Sequence, residues 1–167
     1  MLDHCNDALE RRGGVHDVID RWLVQRRALL ESLIVLQESC DAELSKVDKA
    51  HLDTFSERLM DYISAGHFSV YPQLAKEARA FDDHAALALA GKLLERLEMS
   101  TELTLAFDDD YSSPVRCRQN LGRLPAWLDR LARGLAERFA LEDQLIARLH
   151  AVNLPGDGAR PAPAYRA

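Results

Sequence analysis

Leu52-Asp53-Thr54-Phe55-Ser56-Glu57-Arg58-Leu59-Met60-Asp61-Tyr62-Ile63-Ser64-Ala65-Gly66-His67-Phe68-Ser69-Val70-Tyr71 is the stretch whose reading decides the fold. Leu52, Phe55, Leu59, Tyr62 and Ile63 recur at the three-four spacing of an amphipathic helix. At about 100° per residue, Asp61 points away from that stripe, on an outer face with Arg58 and Ala65. Gly66 then stops the pattern. A glycine at that point reads as a C-terminal residue taking positive φ, after which the chain turns.

The same periodicity extends in both directions. A short N-terminal helix ends at Gly13-Gly14, and a long helix over residues 15–37 carries Val15, Ile19, Trp22, Leu29, Leu30, Leu33 and Leu36 on one stripe, with Arg26 inside it. Residues 38–47 read as a polar connection to the helix over residues 48–65. Beyond Gly66, Ser69 is placed to cap a helix with Pro72 in its first turn and Phe68, Tyr71, Leu74 and Ala78 on one face. A further helix over residues 83–107 carries Leu87, Ala90, Leu94, Leu97 and Leu105, and a polar turn over residues 108–114 closes it. The last helical region, residues 115–152, contains Pro125, which predicts a kink or a short break. These elements predict an all-α fold: an antiparallel four-helix-bundle-like domain over residues 1–153, with additional short helices covering an end. The Pro- and Gly-containing residues 154–167 read as a flexible tail.

Composition agrees with this class. The chain has 167 residues, 47% hydrophobic and 29% charged, enough to bury a core of its own. A formal charge of -6 argues against direct binding to nucleic acid, which draws on a basic surface, and favours a basic protein partner. Cys5, Cys40 and Cys117 form no Cys-x-x-Cys pair and are odd in number, which fits a reducing cytoplasm. The first twelve residues lack the apolar run of a signal peptide, and no later window reads as a membrane span.

In the last helix Leu128, Leu131, Leu135, Phe139, Leu145, Ile146 and Leu149 define a stripe with Glu142 near its centre. A carboxylate buried there needs a partner, and Arg26 occupies the middle of the stripe on the first long helix. We therefore expect an Arg26–Glu142 contact that fixes helix register. A metal is the alternative use of inward carboxylates in a helical bundle. The six histidines make no His-x-x-x-His or Glu-x-x-His set, and "His67-Phe68" with "Phe139-Ala140-Leu141-Glu142" has only a faint likeness to hemerythrin repeats lacking most ligands. No serine or cysteine has a histidine at a recognisable offset, no Gly-rich loop follows a strand, and the run Asp108-Asp109-Asp110 lacks calcium-loop spacing. The reading calls for no catalytic residue, metal or cofactor.

Three segments carry a family resemblance: Asp20-Arg21-Trp22-Leu23-x-x-Arg26, Asp61-Tyr62-x-Ser64-Ala65-Gly66-His67-Phe68-x-x-Tyr71 and Glu137-Arg138-Phe139-x-Leu141-Glu142-Asp143-x-Leu145-Ile146. Jointly, in this order and spacing, they resemble the Rsd/AlgQ family of bacterial anti-sigma regulators, and Gly13-Gly14-Val15-His16 is more similar to the AlgQ branch. Pro72 after Tyr71, and Pro125, depart from the family pattern. The resemblance implies a cytoplasmic, all-helical protein without cofactor that binds the primary sigma factor of RNA polymerase. For AlgQ-like members it also implies regulation of alginate and stress genes. Carried over position by position, it places partner contacts on Arg58, Asp61, Ser64, Ala65, His67, Phe68 and Tyr71, with Phe68 and Tyr71 equally able to seal the core by their phase. An adaptor for another regulatory protein is the remaining alternative.

Overall fold

A computed structural model describes the backbone over residues 2–152 and the side chains over residues 16–149. The expected tail at 154–167, and the side chain of Cys5, lie outside the described residues. Among those residues the structure is all helical. The order is α1 (Leu2–Ala42), a 3-10 turn (Leu44–Lys46), α2 (Lys49–Ala65), a π-helical turn (Gly66–Val70), α3 (Tyr71–Ala80), α4 (His84–Asp110), α5 (Pro114–Asn120), a second 3-10 turn (Leu121–Arg123) and α6 (Leu124–Val152).

Four long units, α1, α2 with α3, α4 and α6, enclose the core. Trp22 reaches Tyr62 and Arg58 reaches Ala28, so α1 and α2 run antiparallel. Ser100 meets Arg138 while Asp110 meets Trp127, so α4 and α6 do the same. Between them lie Leu29, Leu36, Phe55, Leu59, Leu74, Leu93, Phe107 and Leu128, each exposed by no more than 1%. Full burial of such side chains contributes about 1.5–3 kcal/mol each, and the shared interior is what holds the helices together.

Several boundaries differ from the sequence reading. The helix α1 passes through Gly13-Gly14 without a break, because interior glycine costs only about 1 kcal/mol relative to alanine. It also continues past residue 37 to Ala42; the Ser39 hydroxyl bonds back to the Val35 carbonyl at 2.8 Å, so the polar segment stays helical. The expected turn over residues 108–114 is shortened, since 108–110 belong to α4. On α4 the buried positions are Ala86, Leu93, Leu97, Thr104 and Phe107, whereas Leu94 and Leu105 are each 53% exposed. The expected stripe was therefore rotated by part of a turn. At Pro125 the break is real: α5 ends, one 3-10 turn follows, and Pro125 is the second residue of α6, where a missing N–H leaves no intrahelical bond unmade.

The reversal between α3 and α4 has a clear local cause. Asp82 takes φ 53°, the Asp83 N–H donates to Ala78 O at 2.9 Å, and the Asp82 N–H donates to Arg79 O at 3.2 Å. This is a Schellman closure built on aspartate, which tolerates the left-handed conformation better than most residues. The Asp83 carboxylate then caps α4 by accepting from the Ala86 N–H at 3.1 Å and binds Arg148 of α6 at 2.9 Å.

Candidate protein-binding site

The chain does not turn at Gly66. Its φ and ψ are -57° and -55°, ordinary right-handed values, and it is followed by a π-helical turn in which the Tyr71 N–H donates to the Gly66 carbonyl five residues back. Nor does Ser69 cap a helix, because backbone helicity is continuous into α3. Buried positions Tyr62, Gly66, Val70, Leu74 and Ala78 recur every four residues. In a pure α-helix that spacing would drift round the axis by about 40° per step. One wider turn takes up the drift and keeps the line facing inward.

Gly66 is needed for proximity rather than for positive φ. A Cβ there would lie 3.0 Å from the Tyr71 ring and 3.1 Å from Arg138 Nη2. The turn can press against α6 only because position 66 has no side chain.

Beneath the turn lies a buried polar network centred on Glu142, which is fully buried. Its Oε2 accepts from Arg26 Nη2 at 2.8 Å and from the Tyr62 hydroxyl at 2.5 Å. Its Oε1 accepts from Arg138 Nε at 2.8 Å and from the Tyr71 hydroxyl. Thus one carboxylate ties the residues on either side of the π turn to α1 and α6. Arg26 also donates to Tyr62 Oη at 3.1 Å and to Asp143 at 2.5 Å; Arg138 also donates to Ser100 Oγ at 2.9 Å. Two guanidinium cations face two carboxylates, which is how charge becomes tolerable in a core.

Trp22 stacks on Tyr62 with centroids 4.8 Å apart, and Phe139 meets the other side of Arg26 at 4.6 Å. Burial, reinforced by the Glu142 charge, drives the Tyr62 and Tyr71 hydroxyls far above the ordinary phenol pKa. Both remain proton donors to the carboxylate at any physiological pH.

The residues expected at a partner surface separate in this geometry. Asp61 is exposed and lines a groove between α2 and the end of α4 with Asp53, Glu57, Met60, Asp108 and Tyr111. His67 and Phe68 stand on the π turn; Phe68 is 76% exposed, its ring edge to face with His67 at 4.8 Å. Ser64 and Ala65 are half-buried. Arg58, expected on the outer face, instead donates to Ala28 O at 2.9 Å across the α1–α2 seam. Tyr71 is only 6% exposed and belongs to the network, because the π turn rotates it inward while leaving Phe68 outside.

Arg26 and Glu142 come together in the core. Arg138, fully buried, was not anticipated there. Its signal was available: Leu131, Leu135, Arg138, Glu142, Leu145 and Leu149 follow an unbroken four-three repeat, visible once polar residues are admitted to the inward line. Among the described residues no group of three His, Cys, Asp or Glu side chains is placed to hold a metal ion.

Residues 1–150 match the family described as regulator of RNA polymerase sigma(70) subunit, Rsd/AlgQ. The chain belongs to the Rsd/AlgQ family. It is similar to "Regulator of sigma D" from Pectobacterium atrosepticum, at 31% identity over 90% of this chain and 99% of the relative. It is also similar to proteins of the same name from Enterobacter sp. (32% over 97% and 100%) and Escherichia coli O1:K1 (32% over 87% and 92%). No solved structure matches it. The three segments that carry the family resemblance converge here: the first supplies Trp22 and Arg26, the second Tyr62, Gly66 and Tyr71, the third Arg138, Phe139 and Glu142. Among the described residues of this Rsd/AlgQ member, no helix is long and apolar enough to cross a membrane.

Proposed function

We propose that this chain binds the sigma(70) subunit of RNA polymerase with the outer end of α2 and the π turn, and so withholds it from promoters. Family membership supports the partner. The observation that carries the surface is Phe68, an aromatic ring left 76% exposed on a turn whose two flanks are locked into the core. A large apolar side chain presented by a rigid support is the usual anchor of a protein interface.

Asp61 supplies charge one turn before it, and Ser64 and Ala65 keep the intervening surface low enough for close approach. His67 completes the rim. A sigma factor reads promoter DNA with a basic helix-turn-helix surface. An acidic helical face competes for such a surface, and occupancy alone, without catalysis, then decides whether promoter recognition occurs. The site of action is the cytoplasm, where the polymerase works.

Mixing the purified protein with purified sigma(70) subunit tests this. A complex on size-exclusion chromatography, weakened by Phe68→Ala, is the expected result; absence of any complex with the wild-type protein would sink the proposal.

A further inference from the structure

The groove beside Asp61 does not end at the π turn. His67 lines two further depressions against α4, of 450 and 250 Å³. Their floor is apolar, formed by Leu94, Leu97, Leu93, Ala90, Pro72 and Ala75. Their α4 rim carries Glu98 and Glu102, in line with Asp108 in the groove beside Asp61. From Ala90 to Asp108, α4 forms one wall for about 27 Å at 1.5 Å per residue, or five turns of helix.

We propose that the sigma-binding surface extends over this length of α4, and that the groove takes one amphipathic helix of sigma(70) with basic side chains flanking an apolar stripe. The inference rests on the reading under Proposed function and adds the second wall to it. Two observations select the occupant. Leu94 is 53% exposed in the floor although its helix is otherwise well buried on that side, and with Phe68 it gives apolar anchors on both walls. Among the described residues, Glu57, Asp61, Glu98, Glu102 and Asp108 have no ion-pair partner, and Arg79 at the far end is the one cation lining any of the three depressions. Carboxylates along both rims and an apolar floor complement a helix whose lysines or arginines flank its buried stripe.

The test measures affinity for purified sigma(70) subunit by calorimetry for the wild type, Glu98→Arg/Glu102→Arg, Leu94→Ser and a charge-matched control, Glu31→Arg/Glu38→Arg on α1. All five altered side chains are exposed, so melting temperatures should stay together. The expected result is at least tenfold weaker binding for the α4 double variant, about fivefold weaker for Leu94→Ser, and less than twofold change for the control. If wild type binds but the α4 variants stay within twofold of it, the groove is not occupied and the smaller surface stands alone. Equal losses in the control and the double variant would also overturn the proposal, since overall charge would explain them. Failure of the wild type to bind removes the function itself, and this inference with it.

Discussion

Replacing Glu142 with alanine takes one carboxylate away from four donors: Arg26 Nη2, Arg138 Nε and the hydroxyls of Tyr62 and Tyr71. Hydrogen bonds to charged groups are worth about 1.5–3 kcal/mol each, but these four share one acceptor and do not add. The dominant cost is electrostatic. Arg138 is fully buried and its Nη2 already lacks a partner, so it would be left without its counter-charge. Breaking a buried pair in this way costs about 3–5 kcal/mol, a large share of a domain's typical 5–15 kcal/mol.

At about 2–4 °C per kcal/mol for a chain of this size, melting should fall by roughly 6–20 °C when followed by circular dichroism. Arg138→Met should cost less than half as much, because the carboxylate keeps Arg26 and both tyrosines and the unpartnered Nη2 disappears. A Glu142→Ala melting temperature within about 3 °C of wild type, or a larger loss in Arg138→Met, would refute this view of the network.

Three further outcomes follow from the geometry. Gly66→Ala should destabilise by about 1–3 kcal/mol in urea titration, even though alanine gains about 1 kcal/mol of helix propensity, because the Tyr71 ring and Arg138 at 3.0–3.1 Å are buried and cannot give way. Stability should also fall as pH rises above about 10: Tyr62 and Tyr71 have raised pKa values when folded, so the unfolded chain loses those protons first. Each tyrosine contributes a slope of up to about 1.4 kcal/mol per pH unit, stability being intact below that range, and Tyr71→Phe should halve the slope of urea midpoints between pH 10 and 11. Phe68→Ala, at an exposed position, should leave the melting temperature within about 2 °C while weakening sigma(70) binding in the same preparation.

The long helices are legible in the chain because apolar residues three and four apart leave little choice of face, and the same phase points Arg26 and Glu142 toward one another. Arg138 is hidden from that reading, since a stripe counted in apolar residues passes over a cation even when its phase is inward. Gly66 is misread for a different reason. A glycine after a helical stripe signals a C-terminal cap locally, whereas its use here, close approach to Tyr71 and Arg138, depends on residues of α3 and α6 that only the tertiary fold brings near. Tyr71 and Phe68 could not be sorted by α-helical phase because a π turn lies between Tyr62 and Tyr71 and shifts that phase. On α4, Leu94 and Leu105 are good core residues by type, yet the line of Leu93, Leu97, Thr104 and Phe107 packs better against α2 and α6 and leaves them outside. The exposed Leu94 is then available to the groove.

The most direct measurement is a calorimetric titration of purified sigma(70) subunit with the wild-type protein and with Asp61→Ala/Phe68→Ala. The account requires saturable binding by the wild type and at least tenfold weaker binding by the double variant at an unchanged melting temperature. No binding by the wild type, or equal affinity for the two proteins, would contradict it.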